Sequence, residues 1–166
     1  MGRGRHAGVL TAAGFETFGV DLRMDALREA KASVPALRAW CADLATYPLP
    51  RASFDVIVVA RYLQRSLFDA LKAAVVPGGV VLYETFTVQQ RQLGRGPTSA
   101  EHLLEPGELR ERFSGFEILA YEEVSAPEAL ARIAARTPRA QRVVASSRKH
   151  EEHEDHEATL CRKHTS

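Results

Sequence analysis

The chain reads as an α/β domain of the doubly wound kind, with a mostly parallel sheet and an antiparallel last strand. Three observations carry this reading. A turn containing Gly2 and Gly4 runs into a helical pattern and then a short strand that ends in Asp21. The apolar runs Phe54-Asp-Val-Ile-Val-Val-Ala60 and Val80-Val-Leu-Tyr-Glu84 suit strands covered on both faces. Between these runs, helical and strand patterns alternate strictly, which is the signature of crossover units in a parallel sheet.

Each element has a local reason. Residues 5 to 13 place Ala7, Val9, Leu10 and Ala13 at helical spacing, and Gly14 stops them as a C-terminal glycine does. Residues 18 to 20 form a short strand, and residues 25 to 32, with Leu27 and Ala30 facing inward, form a second helix. Pro35 precedes a strand over residues 37 to 41, just before Asp43-Leu44. After the strand at 54 to 60, residues 67 to 76 form an amphipathic helix that ends in Pro77-Gly78-Gly79, and residues 80 to 84 resume as a buried strand. The spacing then predicts a short helix over 108 to 113, a strand over 116 to 122, a helical stretch over 128 to 136 and a last strand over 142 to 146. Those last two strands lack a long crossover, so an antiparallel pair at one edge is expected. Residues 1 to 148 make the one folded domain. The polar tail, 149 to 166, has little apolar surface to bury and is expected to be disordered.

Composition narrows the function. A chain of 166 residues, 45% hydrophobic and 26% charged, is ordinary for one globular core. A formal net charge of +1 gives no concentrated basic excess for nucleic acid, so a small or neutral partner is favoured. No apolar run approaches the roughly twenty residues that span a bilayer, and the N-terminus lacks a signal-peptide core. The expected location is the cytoplasm, with no membrane partner, as a monomer or weak homodimer. Cys41 and Cys161 form neither a disulfide framework nor a zinc spacing. His150, His153 and His156 recur every three residues among acids, but a solvated tail outweighs a metal site, and no metal is expected.

In a doubly wound fold the ligand sits at the carboxyl ends of the strands. Gly2 and Gly4 let backbone approach it closely, and Asp21, one strand later, can take ribose hydroxyls or cap the next helix, as Asp25 also can. Asp43 fits a ligand contact and a turn before Pro48 equally well. Asp55 opens its strand at the end away from the ligand and is left out of the site. Arg61 and Tyr62 follow a strand at its carboxyl end, where a planar guanidinium can hold an anionic substrate, although surface ion pairing is the plainer role. Glu84, ending the next strand, stands on the opposite wall and can orient a nucleophile or act as a base. His6 reads as a core or helix-surface residue and Trp40 as packing. No residue is assigned as catalytic.

The loop Gly2-Arg3-Gly4-Arg5-His6, the strand-ending Asp21, Asp43-Leu44, Phe54-Asp55, Arg61-Tyr62-Leu63 and Pro77-Gly78-Gly79 before Tyr83-Glu84-Thr85-Phe86 occur in one order. With Leu104-Glu105-Pro106-Gly107-Glu108-Leu109 and the strand containing Phe116, this series resembles the class I S-adenosylmethionine-dependent methyltransferases. Within them it is similar to the small bacterial, tellurite-resistance-type branch. The resemblance implies a Rossmann-like sheet of seven strands with the last antiparallel, and S-adenosylmethionine as cofactor. Gly2 and Gly4 would flank its methionine part, Asp21 and Leu22 would meet its ribose, Asp43 would accept from the adenine amino group, and Leu44 would lie against the ring. Arg61, Tyr62 and Glu84 would line the acceptor site.

Enzymes of this type begin with a strand that leads into the glycine loop, whereas Met1 stands inside that loop. The first strand is therefore expected to be missing and the chain truncated, which would leave two central neighbours unpaired and impair activity. The fourth strand runs into Ala60-Arg61-Tyr62-Leu63 and not into the Asn-Pro-Pro-Tyr type of signature found in amino-group methyltransferases, so a small-molecule acceptor is preferred over DNA or protein nitrogen. Two other classes share parts of the pattern. A nicotinamide-dependent oxidoreductase would use a third glycine, matched here only in shifted form by Ala7-Gly8. A noncatalytic remnant would bind a partner through an open sheet edge.

Overall fold

The computed structural model describes residues 1–139. Helix α1 (Arg5–Ala12), strand β1 (Phe18–Asp21), helix α2 (Met24–Ser33) and strand β2 (Arg38–Cys41) form one crossover unit, with β1 and β2 parallel. Strand β3 (Phe54–Ala60), helix α3 (Phe68–Ala74) and strand β4 (Val75–Phe86) form a second, again parallel. Helix α4 (Glu108–Arg112), β5 (Glu117–Val124) and β6 (Leu130–Arg136) complete the described part. The larger sheet has the order β3-β4-β6-β5, and β6 runs antiparallel to both neighbours. The doubly wound, mostly parallel arrangement with an antiparallel final strand is thus present.

Two elements differ from the sequence reading. The helix expected over 67 to 76 ends at Ala74, and Val75 already pairs with Phe54; the register then shifts across Pro77-Gly78-Gly79 before Val80 pairs with Val56. In the stretch over 128 to 136, Leu130–Arg136 form strand β6 and not helix. Its alanines favour a helix in isolation, but β4 and β5 offer it hydrogen-bonding edges on both sides. Its side chains alternate: Ala131, Ile133 and Ala135 enter the core, while Arg132 and Arg136 reach Glu122 and Glu117 across the sheet at 2.8 and 3.3 Å. The antiparallel edge pair is therefore β5 with β6. The strand expected over 142 to 146 and the tail from 149 lie outside the described residues.

The main core lies between the larger sheet and helices α3 and α4, where Phe68, Tyr83, Leu109, Phe113 and Ile133 are buried together. The Phe68 ring stacks on Tyr83 at 5.2 Å and meets Phe113 edge-on at 5.7 Å. A smaller cluster of Ala7, Ala30 and Leu37 joins α1 and α2 to the smaller sheet. The two sheets share no ladder. Among the described residues β1 and β3 each pair with one strand only, and the rings of their first residues, Phe18 and Phe54, meet at 6.0 Å. No helix among the described residues is long and apolar enough to cross a membrane.

Candidate functional site

Parallel strands bring their carboxyl ends to one edge, so Asp21, Cys41, Arg61 and Phe86 with their following loops share that side of their sheets. Asp21 is the most heavily engaged of the predicted residues. Its Oδ2 accepts from the Met1 ammonium at 2.8 Å and the Gly2 amide at 2.7 Å, and its Oδ1 accepts from the Arg23 amide at 3.0 Å. Partial burial alone would raise its pKa, but these donors outweigh that and bring it down to about 2. Asp21 is thus an ionised acceptor for hydrogen-bond donors, fixed at a strand end. It does not cap α2, whose N-cap residue is Arg23 with no side-chain cap.

The two loop glycines turn out to differ. Gly2 has φ 59° and open space where a side chain would stand. Gly4 has φ 83°, is buried, and a Cβ there would lie 2.9 Å from the Ala30 Cβ. Gly4 therefore lets α1 approach α2, while Gly2 leaves the space beside Asp21 clear. Gly8, the shifted third glycine, lies inside α1 against Val34 and not in the loop.

Leu22 is exposed, and its carbonyl accepts from the Cys41 thiol at 3.3 Å, which ties the ends of β1 and β2. Asp43 takes the turn role foreseen for it: its Oδ1 accepts from the Ala45 amide at 2.8 Å, and the carboxylate is exposed. Leu44 is half-buried against the main core. Tyr62 follows Arg61 in the loop after β3. Burial first, and then the Asp43 charge, raise its phenol above the usual tyrosine range, and its hydroxyl donates to the Gln64 side chain.

The second half is a set of ion pairs at the ends of β3, β4 and β6. Arg61 adopts φ 55°, rare for a residue with a side chain, and its amide donates to the Glu84 carbonyl at 2.8 Å. Its guanidinium lies 5.1 Å from the Phe86 ring centre. Glu84 stands 4.0 Å from Arg61 and accepts from Arg132 at 2.6 Å. Arg61 also grips Glu128 with both terminal nitrogens, one at 2.7 Å. From below, the buried Tyr83 hydroxyl donates to the Tyr62 carbonyl at 2.9 Å and braces the turn.

The predicted residues thus fall into two clusters, one around Asp21 and one around Arg61. Glu128 and Arg132 were not foreseen because their segment read as helix. The alternation of Arg132 and Arg136 with buried apolar residues was the available signal. Among the described residues no group of three or more His, Cys, Asp or Glu is placed to hold a metal ion.

Comparison with known proteins agrees with this layout. Residues 1–79 match the family profile described as methyltransferase domain. The S-adenosylmethionine-dependent methyltransferase from Mesorhizobium loti superposes with TM-score 0.67 at 22% identity, covering 81% of this chain and 87% of that one. The chain has a methyltransferase fold. The N-methyltransferase NodS from Bradyrhizobium japonicum shares this fold with TM-score 0.64 and 17% identity, over 82% of each chain. So does the [4+2]-cyclase SpnF, with TM-score 0.63 and 16% identity, over 83% of this chain and 73% of that one. A methyltransferase fold can therefore serve another reaction, and function must be argued from the site. No curated protein sequence matches this one.

Proposed function

We propose that the chain binds S-adenosylmethionine at the ends of β1 and β2 and transfers its methyl group to a small-molecule acceptor held near Arg61, Tyr62 and Glu84. One observation carries this reading: Asp21, ionised down to about pH 2, accepts N–H donors at the end of β1 beside the open Gly2. A carboxylate in that setting is suited to a vicinal diol, and charge-assisted bonds are the strong kind. When bound, the cofactor supplies a methyl group on a sulfonium, whose thioether leaves readily.

The protein's own task is alignment and exclusion of water. Asp21 and the Gly2 amide fix one end of the site. Asp43 offers an exposed carboxylate to an amino group, with Leu22 and Leu44 as apolar neighbours. Arg61 and Tyr62, set by the braced turn after β3, face the acceptor. Glu84, engaged by Arg132, is assigned to holding the guanidiniums in place and not to proton transfer. The combined pattern of loop, strand ends and Tyr83-Glu84-Thr85-Phe86 supports placing the chain in the tellurite-resistance-type branch.

The edges of β1 and β3 that pair with no strand among the described residues bear on affinity, because β1 carries Asp21 on a two-stranded sheet, which is marginal by itself. Supplying a strand between them is expected to strengthen cofactor binding. The test is calorimetric titration of S-adenosylmethionine, and of its demethylated product, into this chain and into a version extended upstream of Met1 by an apolar strand. Binding by either form, tighter in the extended one, supports the reading. Absence of binding by both, with both folded, overturns it.

A further inference from the structure

The ion pairs at the ends of β3, β4 and β6 differ in how firmly they are held. Glu84 is tied to Arg132, which is tied in turn to Glu122 at 2.8 Å, all three on adjacent strands at matching register. Arg61 and Glu128 lie outside the strands. They are 39% and 32% exposed, and their contact is the two-point grip of a guanidinium on a carboxylate. They are no more exposed than Arg132 and Glu122, at 41% and 56%, but they stand on the loops after β3 and before β6, so the pair can part without breaking a sheet ladder and a carboxylate in solution can take the place of Glu128.

Arg61 itself is positioned with unusual care for a surface residue. Its backbone occupies the left-handed region and is held by Glu84 through the main chain, while Tyr83 braces the next residue. The guanidinium carbon lies over the Phe86 ring, 5.1 Å from its centre. A surface ion pair needs none of this. A planar guanidinium set over an aromatic ring, with both terminal nitrogens engaged by one carboxylate, is an arrangement for bidentate carboxylate recognition.

We infer that the acceptor bears a carboxylate, which Arg61 grips over the Phe86 ring in the place Glu128 fills in this structure. The inference rests on the reading of this strand edge as an acceptor site, and it deepens that reading by naming the substrate class. Glu128 is then an internal stand-in that keeps Arg61 paired until substrate arrives. Glu84 and Arg132 remain in place and hold the wall.

The test uses four probes that share one ring: benzoate, benzylamine, benzyl alcohol and phenyl phosphate. Their binding to the full chain and to its Arg61→Met, Arg61→Lys and Glu128→Gln variants is measured by saturation-transfer NMR, with folding checked by thermal unfolding. Benzoate is expected to bind the parent chain and to bind Glu128→Gln about fivefold more tightly, the equivalent of a surface pair no longer displaced. It is expected to weaken in Arg61→Lys and vanish in Arg61→Met, while the amine and the alcohol show no dependence on Arg61. Benzoate binding that ignores Glu128→Gln, that survives in Arg61→Lys at full strength, or that phenyl phosphate exceeds in an Arg61-dependent way overturns the inference. Titration of S-adenosylmethionine into Glu128→Gln separates the two readings. Intact cofactor binding with benzoate indifferent to Arg61 removes only the carboxylate acceptor, and the reverse result removes only the methyltransferase reading.

Discussion

Asp21→Asn tests the centre of the cofactor reading, and its size can be worked from the contacts. The parent carboxylate presents two oxygens, one accepting from Met1 and Gly2 and the other from Arg23. Asparagine is neutral: it keeps one carbonyl acceptor and replaces the other with a donor, so one of two diol contacts is lost and the other becomes an uncharged hydrogen bond. A hydrogen bond to a charged group contributes about 1.5–3 kcal/mol, so affinity for S-adenosylmethionine should fall about 10- to 150-fold. The Met1 pair, 11% and 19% exposed, weakens with the charge, so thermal unfolding accompanies the titration and separates lost affinity from lost stability. The pH dependence follows from the lowered pKa. Asp21 ionises at about 2 in the folded chain against 3.8 ordinarily. Its contribution to stability is therefore complete above pH 3.8 and lost as pH falls toward 2, and between pH 5 and 8 its part in cofactor affinity is flat. Calorimetry at pH 7, paired with thermal unfolding, provides both numbers. A folded Asp21→Asn chain that binds within about threefold of the parent would refute the diol assignment.

Three further outcomes concern the scaffold. Glu108, only 11% exposed, grips Arg65 at 2.7 and 2.8 Å, and this hydrogen bonding, outweighing partial burial, lowers its pKa to about 2 from 4.5. Glu108→Gln should cost about 1.5–3 kcal/mol in urea unfolding at pH 7, and the gap should close as pH falls from 4.5 toward 2, where the parent loses the same advantage. Phe113→Ala, at a fully buried ring packed on Phe68 and Phe116, should cost about 3–5 kcal/mol by the same measure. Ala134→Thr places a β-branched residue on the half-buried face of β6 and should leave stability unchanged or raise it by up to about 1 kcal/mol, whereas in a helix the same change would lower it by about 0.7 kcal/mol; a loss would contradict the strand assignment.

Much of the architecture was legible because long apolar runs mark strands, although the expectation of cover on both faces fails: no residue of β3 is fully buried, and Leu82 on β4 is exposed. Residues 54 to 60 were bounded correctly, and α1, β1, α2 and β2 to within a residue or so at each end, since apolar spacing and glycine stops act locally. The segment 128 to 136 was misread because its alanines and arginines are compatible with a helix, and only its place between β4 and β5 decides otherwise. That error hid Glu128 and Arg132, half of the ion-pair wall around Arg61. Val75 and Val76 were misassigned for a related reason: they continue the apolar pattern of α3, and it is pairing with Phe54 that turns them into strand.

The glycine loop shows why a motif in sequence does not by itself identify a ligand contact. Gly2 and Gly4 look equivalent as letters, and both adopt positive φ, yet the demands on them are different. At Gly4 a methyl group would lie 2.9 Å from the Ala30 Cβ, so the residue is required by the packing of α1 on α2 whether or not anything binds. At Gly2 nothing stands within 4 Å of where a methyl group would be, so the fold needs only the backbone conformation, and the empty space is what a ligand would use. Alanine substitution separates these demands. Gly4→Ala should cost about 2–4 kcal/mol from strain and overpacking together, with cofactor affinity falling only as the fold is lost. Gly2→Ala should cost about 1–2 kcal/mol of stability, while weakening S-adenosylmethionine by more than that loss explains. Equal, purely structural effects at both positions would mean that the loop exists to pack two helices and that Asp21 alone carries the cofactor reading.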